Sequence, residues 1–190
     1  MNIEALHHVI RATAGVTGYK KFLILGSQAI LGHCMEKGFD FSFNDSMEVD
    51  IAPIPENEIM ADLISGTIGE MSPFHQNFGY CADGCSMRTP VFPLGWENRV
   101  ANYTFESDID VYFPSPEDLA FSKYIAGREK DLEFVKKLWQ EDLLKPDVMV
   151  QLLTLLPKER MEGREEIVRQ RVTRDMNAYL LHARAAGVER

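Results

Sequence analysis

The chain is poor in cysteine, in positive charge and in long apolar runs, and each shortage excludes a class of protein. Its three cysteines, Cys34, Cys81 and Cys85, are an odd number at no spacing typical of a secreted disulfide scaffold, and no charged-then-apolar leader precedes them. Reduced thiols and a cytoplasmic location are therefore expected. Lys and Arg number 20 against 29 Asp and Glu, a formal net charge of −9 with a sequence pI near 5.0. That balance excludes a surface coated for the phosphate backbone, because duplex binding is driven largely by Lys and Arg displacing counterions. Any nucleic-acid contact is expected to be local, screened from the acidic remainder over about 8 Å at physiological salt. The longest apolar runs, residues 22–25 and 148–156, are too short or too interrupted to span a bilayer, so no membrane contact is expected. No repeat or low-complexity segment occurs. A length of 190 residues with 45% hydrophobic content fits one globular domain with a helical tail.

Ile3, Leu6 and Ile10 stand at helical spacing and predict a short opening helix closed by Gly15 and Gly18. Phe22-Leu23-Ile24-Leu25 predicts a buried strand, Gly26-Ser27 a tight turn, and Ala29, Ile30, His33 and Cys34 a following helix. Residues 38–45 mix polar and aromatic types. Met47-Glu48-Val49-Asp50-Ile51 then alternates with a period of two until Pro53, which predicts a half-buried strand. A short helix is expected over 56–64, irregular structure over 66–84, and strands over 89–94 and 102–113 joined by Gly95-Trp96-Glu97-Asn98. Ser115-Pro116-Glu117-Asp118 has the signals of a helix start, running to about Ala126. Gly127 interrupts, and further helices are expected over 129–139 and from Pro146 across 148–155. Val168, Val172, Met176, Leu180 and Ala183 form one apolar stripe on a long final helix.

Two features could carry chemistry. Gly26-Ser27 sits where a strand turns into a helix, so backbone N–H groups and the positive dipole end converge on a phosphate cradle, and the Ser27 hydroxyl can donate to a phosphate or cap the helix. A capped helix alone accounts for the same two residues. Glu48 and Asp50, two apart in a strand, present carboxylates on one face about 7 Å apart, a pair able to share divalent metal. Magnesium prefers such oxygens, and two ions about 4 Å apart clamp the attacking and leaving oxygens of an in-line phosphoryl displacement. A solvated polar strand face is the alternative.

Together, Gly26-Ser27 and the later Ser46-Met47-Glu48-Val49-Asp50 resemble the signature of the polymerase-β-type nucleotidyltransferase superfamily. The run Pro116-Glu117-Asp118-Leu119-Ala120, Lys123, and Ala126-Gly127-Arg128-Glu129-Lys130-Asp131 is similar to the helical motif of its AbiEii-like and related uncharacterised bacterial branches. Ile68-Gly69-Glu70, Phe74-His75 and Gly95-Trp96-Glu97 also look like elements of that branch, and the likeness spans about residues 20–140. The resemblance implies an α+β fold, a nucleotidyltransferase-like mixed β-sheet flanked by helices with a helical C-terminal region. Residues 1–114 would be the α/β core and 115–190 the helical region packed on it as a single compact unit. It implies an enzyme that moves a nucleotidyl group from a nucleoside triphosphate to a hydroxyl of an acceptor, RNA such as tRNA or protein, with Mg2+ or Mn2+. Some members of those branches are toxins of toxin–antitoxin pairs, which makes a cognate antitoxin a candidate partner.

By the same likeness Gly26 and Ser27 hold phosphates, Glu48 and Asp50 hold metal, Lys123 and Arg128 face the nucleotide, and Asp131 completes the polar site or orients both cations. A third metal acid is expected on a neighbouring strand, with Glu106, Asp108 and Asp110 as competitors, and Glu70 and His75 are candidates for the acceptor site. Glu48 departs from the Asp commoner at its position. That departure keeps open an inactive nucleotide-sensing or protein-binding module, and oligomeric state is open too. Cys81 and Cys85 with His75 and His33 have loose spacing for zinc. Arg164, Arg169, Arg171 and Arg174, interleaved with acids, read as a solvated helix before an RNA surface.

Overall fold

Four consecutive apolar residues between charged Lys21 and conformationally free Gly26 have no polar face to offer water, and such a run is stable as a strand covered on both sides. In the computed structural model, which describes residues 1–37, 46–106 and 108–185, this run is the central strand β1 (Lys21–Leu25), buried from Phe22 to Leu25. The chain divides into two units, Met1–Pro90 with Glu97–Ser115, and Val91–Trp96 with Pro116–Arg190. The polar and aromatic segment 38–45 lies outside the described residues.

In the first unit, β1 is flanked by β2 (Glu48–Pro53) and β5 (Ile109–Phe113), and β3 (Cys81–Gly84) and β4 (Ala101–Phe105) form the edges, in the order β3-β2-β1-β5-β4. The sheet is mixed. β1 is antiparallel to β2 and parallel to β5, β2 is parallel to β3, and β4 and β5 form an antiparallel hairpin. Antiparallel pairing of Leu25 with Asp50 brings the end of β1 and the start of β2 to one sheet edge. Helices α1 (Ile3–Thr17) and α3 (Glu58–Ile68) pack together and against the β2–β3 side. Helix α2 (Ile30–Lys37) packs against β4 and β5, and the short α4 (Pro73–Phe78) precedes β3. Leu6, Val9 and Ile10 of α1, Ile64 and Ile68 of α3, and Ile30, Leu31 and Cys34 of α2 are buried with the strands.

The second unit is helical: α5 (Pro116–Ala126), α6 (Glu129–Gln140), α7 (Pro146–Leu153) and α8 (Glu165–Ala185). Of the α8 stripe, Val168 and Val172 are buried and Met176, Leu180 and Ala183 half-buried. A polar chain ties three of its helices, with the Trp139 indole N–H donating to the Tyr124 hydroxyl at 3.0 Å, which donates to Asp175 at 3.0 Å. Burial, then the Asp175 charge, raises the Tyr124 pKa, so the hydroxyl stays a donor. The architecture is the expected mixed sheet flanked by helices with a helical C-terminal region.

Several local expectations are corrected. The opening helix runs on through Gly15 and ends only at Gly18, which takes φ 71° while its N–H donates to Ala14 O. Residues 66–84, expected to be irregular, complete α3, form α4 behind a Ser72 cap, and supply β3. Among the described residues no strand covers 89–94. Val91–Trp96 joins the helical unit instead, with Phe92 buried against Trp96 and the Leu94 N–H bonded to Leu155 O at 2.8 Å. The single strand expected over 102–113 is the β4–β5 hairpin, because Glu106, at φ 50°, turns the chain.

Two glycines of the first unit test the packing in opposite directions. A Cβ at Gly32 falls on the Phe113 ring, with Cδ1 and Cδ2 at 2.6 and 2.7 Å, whereas one at exposed Gly15 meets nothing within 4 Å. Urea unfolding is expected to show Gly32→Ala destabilised by about 1–3 kcal/mol through overpacking. Gly15→Ala should be stabilised by about 0.5–1 kcal/mol through helix propensity.

Candidate active site

The turn after β1 is built by Gly26, at φ 62° and ψ −158°, a backbone region open essentially to glycine alone. From there the chain enters a 3-10 turn, Ser27–Ala29, that runs directly into α2. Ser27 lies inside this turn, and no side-chain cap bond closes it, so the capping role expected of Ser27 is not the one it has. Gln28 is fully buried, and its Nε2 donates to Ser46 O at 2.5 Å, which ties the turn to the residue leading into β2.

Asp50 meets this turn. A Cβ on Gly26 would overlap Asp50 Oδ2 and lie 2.8 Å from its Cγ, so the carboxylate occupies the space that only glycine leaves. The glycine is required twice, once by its dihedrals and once by the acid packed upon it. Glu48, exposed, shares the Asp50 face of β2, while Val49 between them is buried. The structure thus brings Gly26, Ser27, Glu48 and Asp50 to one sheet edge.

A third acid arrives there from a different strand than expected. Asp83 of β3 is the in-register partner of Asp50 on the next strand, so the two project from the same face. Their charges, after burial itself, push the Cys85 thiol up to about 12; burial followed by Glu48, Glu70 and Asp83 pushes Cys81 up to about 11. Both thiols are therefore poor nucleophiles at neutral pH. The Gly, Ser and Asn content of the Asp83 segment predicts a loop, and the only strand signal is the short apolar run Tyr80-Cys81-Ala82 ahead of Asp83.

The acids expected to compete for that position lie elsewhere. Asp110 pairs in register with Lys21, at the far end of β1 from Gly26, a strand length of about 13 Å away. Lys21 reaches Asp110 at 3.8 Å, Lys20 reaches Asp108 at 2.8 Å and Arg11 reaches Glu106 at 3.1 Å. These are ion pairs around a hairpin turn, exposed except for half-buried Asp110, each contributing about 0–1 kcal/mol. The hairpin also removes the common strand face on which the three were expected.

Glu70 is exposed near Cys81, whose thiol feels its charge. His75, in α4, accepts the Met71 N–H at Nδ1, 3.1 Å away. A neutral ring held this way carries its proton on Nε2 and presents a donor there rather than a base.

A second polar cluster belongs to the helical unit. Asp131, with its side chain 1% exposed, accepts two hydrogen bonds from Arg128, Nε at 2.6 Å and NH2 at 3.1 Å, and an ion pair from Lys123 at 3.2 Å. The Lys123 ammonium also lies 5.9 Å from the centre of the Phe134 ring. Gly127, at φ 69°, breaks the chain between α5 and α6 and allows all three side chains to meet. Burial by itself pushes the Asp131 carboxyl up, but the Arg128 hydrogen bond and the Lys123 and Arg128 charges outweigh it, and its pKa is lowered.

Among the described residues no three His, Cys, Asp or Glu side chains are gathered closely enough to hold a metal ion as a protein cage. Magnesium does not require one. It binds through one or two carboxylates and keeps water and substrate phosphates, and the all-carboxylate edge of Glu48, Asp50 and Asp83 has the hard oxygen chemistry it prefers.

A glycine turn after the central strand, with an acid-x-acid strand packed against it in a mixed sheet, defines a protein of the nucleotidyltransferase class. The chain belongs to the family described as nucleotidyltransferase of unknown function (DUF6036), whose model matches residues 4–182. No curated protein and no solved structure matches the chain.

Two outcomes are expected from these contacts. Gly26→Ala should cost about 1–3 kcal/mol in backbone strain with an overlap cost besides, and pairing it with Asp50→Gly should recover the overlap part only. A double-mutant cycle by urea unfolding is expected to read a coupling of about 0.5–3 kcal/mol. For Asp131, a lowered folded pKa means its stabilisation is complete above the unfolded value of about 4 and is lost as pH falls through the folded value. Asp131→Asn should lower stability at pH 7 by about 3 kcal/mol and flatten the acid limb of a melting-temperature profile.

Proposed function

We propose that the protein is a Mg2+- or Mn2+-dependent nucleotidyltransferase that moves a nucleotidyl group from a nucleoside triphosphate to an acceptor hydroxyl. The observation that carries this reading is the Asp50 carboxylate seated on the Gly26 turn, which sets an acid beside the backbone suited to phosphate. The acceptor oxygen forms a bond to the α-phosphorus as the bond to pyrophosphate breaks, and the acceptor's hydroxyl proton passes to water. A bound dication would supply charge neutralisation at the triphosphate and at the attacking oxygen.

Each residue group has a task in this reading. Gly26 and Ser27 hold phosphates with backbone N–H groups and a hydroxyl, and one or two carboxylates of the Glu48, Asp50 and Asp83 edge hold the dication. In the helical unit, Asp131 holds Lys123 and Arg128 as a pair of cations whose charge suits phosphates. Glu70 and His75 border the acceptor, His75 as a hydrogen-bond donor. Catalysis is then a matter of position and electrostatics. RNA such as tRNA is the acceptor placed first, and a protein side chain second. The likeness to AbiEii-like sequences extends the reading to a toxin held by a cognate antitoxin in the cytoplasm.

The test incubates purified protein with each labelled triphosphate, Mg2+ and total RNA, and compares wild type with Asp50→Ala. Label transfer reduced at least 100-fold by the substitution is expected, with wild-type melting temperature raised by Mg-nucleotide. No transfer in any combination, together with no thermal shift, overturns the enzyme reading in favour of an inactive module. Transfer that survives Asp50→Ala overturns the residue assignment alone. Growth arrest on expression, relieved by Asp50→Ala, is the outcome expected of a toxin.

A further inference from the structure

Asp83 stands on a four-residue edge strand and is exposed, so a free carboxylate there would exchange among its staggered rotamers. One turn of α3 prevents this. The Ser65 hydroxyl donates to Asp83 Oδ1 at 2.9 Å while accepting the Gly84 N–H at 2.8 Å. A single oxygen thereby fixes both the strand backbone and the acid beside it.

The close approach this requires is built into the sequence. A Cβ on Gly84 would overlap Ala61 O and lie 2.6 Å from its carbonyl carbon, so only glycine lets β3 come near enough to α3 for the hydroxyl to reach. Meanwhile α3 is anchored without Ser65: Ala61, Ile64 and Ile68 are buried, and the Asn57 side chain caps it by accepting the Met60 N–H. The helix has the means to hold its place when the hydroxyl is removed. The rotamer of Asp83 does not.

We propose that Ser65 is a positioning residue that sets the Asp83 carboxylate for dication binding, without itself touching metal or nucleotide. This rests on the reading of Glu48, Asp50 and Asp83 as the carboxylates of a dication site. A hydrogen bond to a metal-binding carboxylate orders it ahead of binding, and loss of such partners elsewhere weakens metal affinity about 10–100-fold. Because the acid is exposed, the low end of that range applies.

The experiment titrates full-length protein with Mn2+ and follows free ion by electron paramagnetic resonance. Ser65→Val and Ser65→Thr have the same shape and differ in the hydroxyl, which isolates the bond from packing. Affinity lowered about tenfold in Ser65→Val and restored in Ser65→Thr, with melting temperatures of the two within a few degrees, is expected. In an Asp83→Asn background, exchanging Thr for Val at position 65 should change nothing further. Equal Mn2+ affinity for the two variants while Asp50→Ala abolishes binding overturns the positioning role and leaves the dication reading intact. A loss that persists in the Asp83→Asn background also overturns it, since Ser65 then acts by another route. Wild-type protein that takes up no Mn2+ removes the dication reading and the positioning role together.

Discussion

The acid edge of this protein depends on Gly26 having no side chain. Its dihedrals turn the central strand into α2, and the space above its Cα is filled by the Asp50 carboxylate of the neighbouring strand. Turn and acid thus come as one piece. Gln28, buried just beyond, adds the hydrogen bond to Ser46 O that sets where β2 begins. Register does the rest, because antiparallel pairing with β1 and parallel pairing with β3 place Asp50 between Leu25 and Asp83.

The two ends of this sheet treat carboxylates differently. At the hairpin end, Glu106, Asp108 and Asp110 each have a named cation, Arg11, Lys20 and Lys21, and the pairs are exposed except for half-buried Asp110. At the Gly26 end, Glu48, Glu70, Asp50 and Asp83 stand near enough to two thiols to help burial raise both. The hairpin acids are set among cations, and the acids of the Gly26 end are set around two thiols.

In the helical unit the organising charge is Asp131. Removing a carboxylate from water is costly, and here it is offset by a forked Arg128 and by Lys123 lodged against Phe134. The carboxylate in turn holds both cations in place within the helical unit. The Tyr124–Trp139–Asp175 chain does the same structural work among α5, α6 and α8 with mostly neutral donors.

The amino-acid sequence by itself determined the central strand, the glycine turn, the acid-x-acid strand, the helix starts at Pro116 and Pro146 and the stripe of α8. These are local matters of period, backbone freedom and capping. It also marked Lys123, Arg128 and Asp131, whose spacing across Gly127 lets them meet. Only the tertiary structure decided which acid stands beside Asp50. Glu106, Asp108 and Asp110 satisfied the alternation rule, but register is a relation between strands that no window of sequence contains. The β4–β5 hairpin sent those three to the far end of β1. The pairing of β3 with β2 brought Asp83 to Asp50, out of a stretch whose Gly, Ser and Asn content suggested a loop. Gly84 there is needed for close packing against α3 while Gly79 ends α4, and the same residue type serves a turn and a tight contact alike.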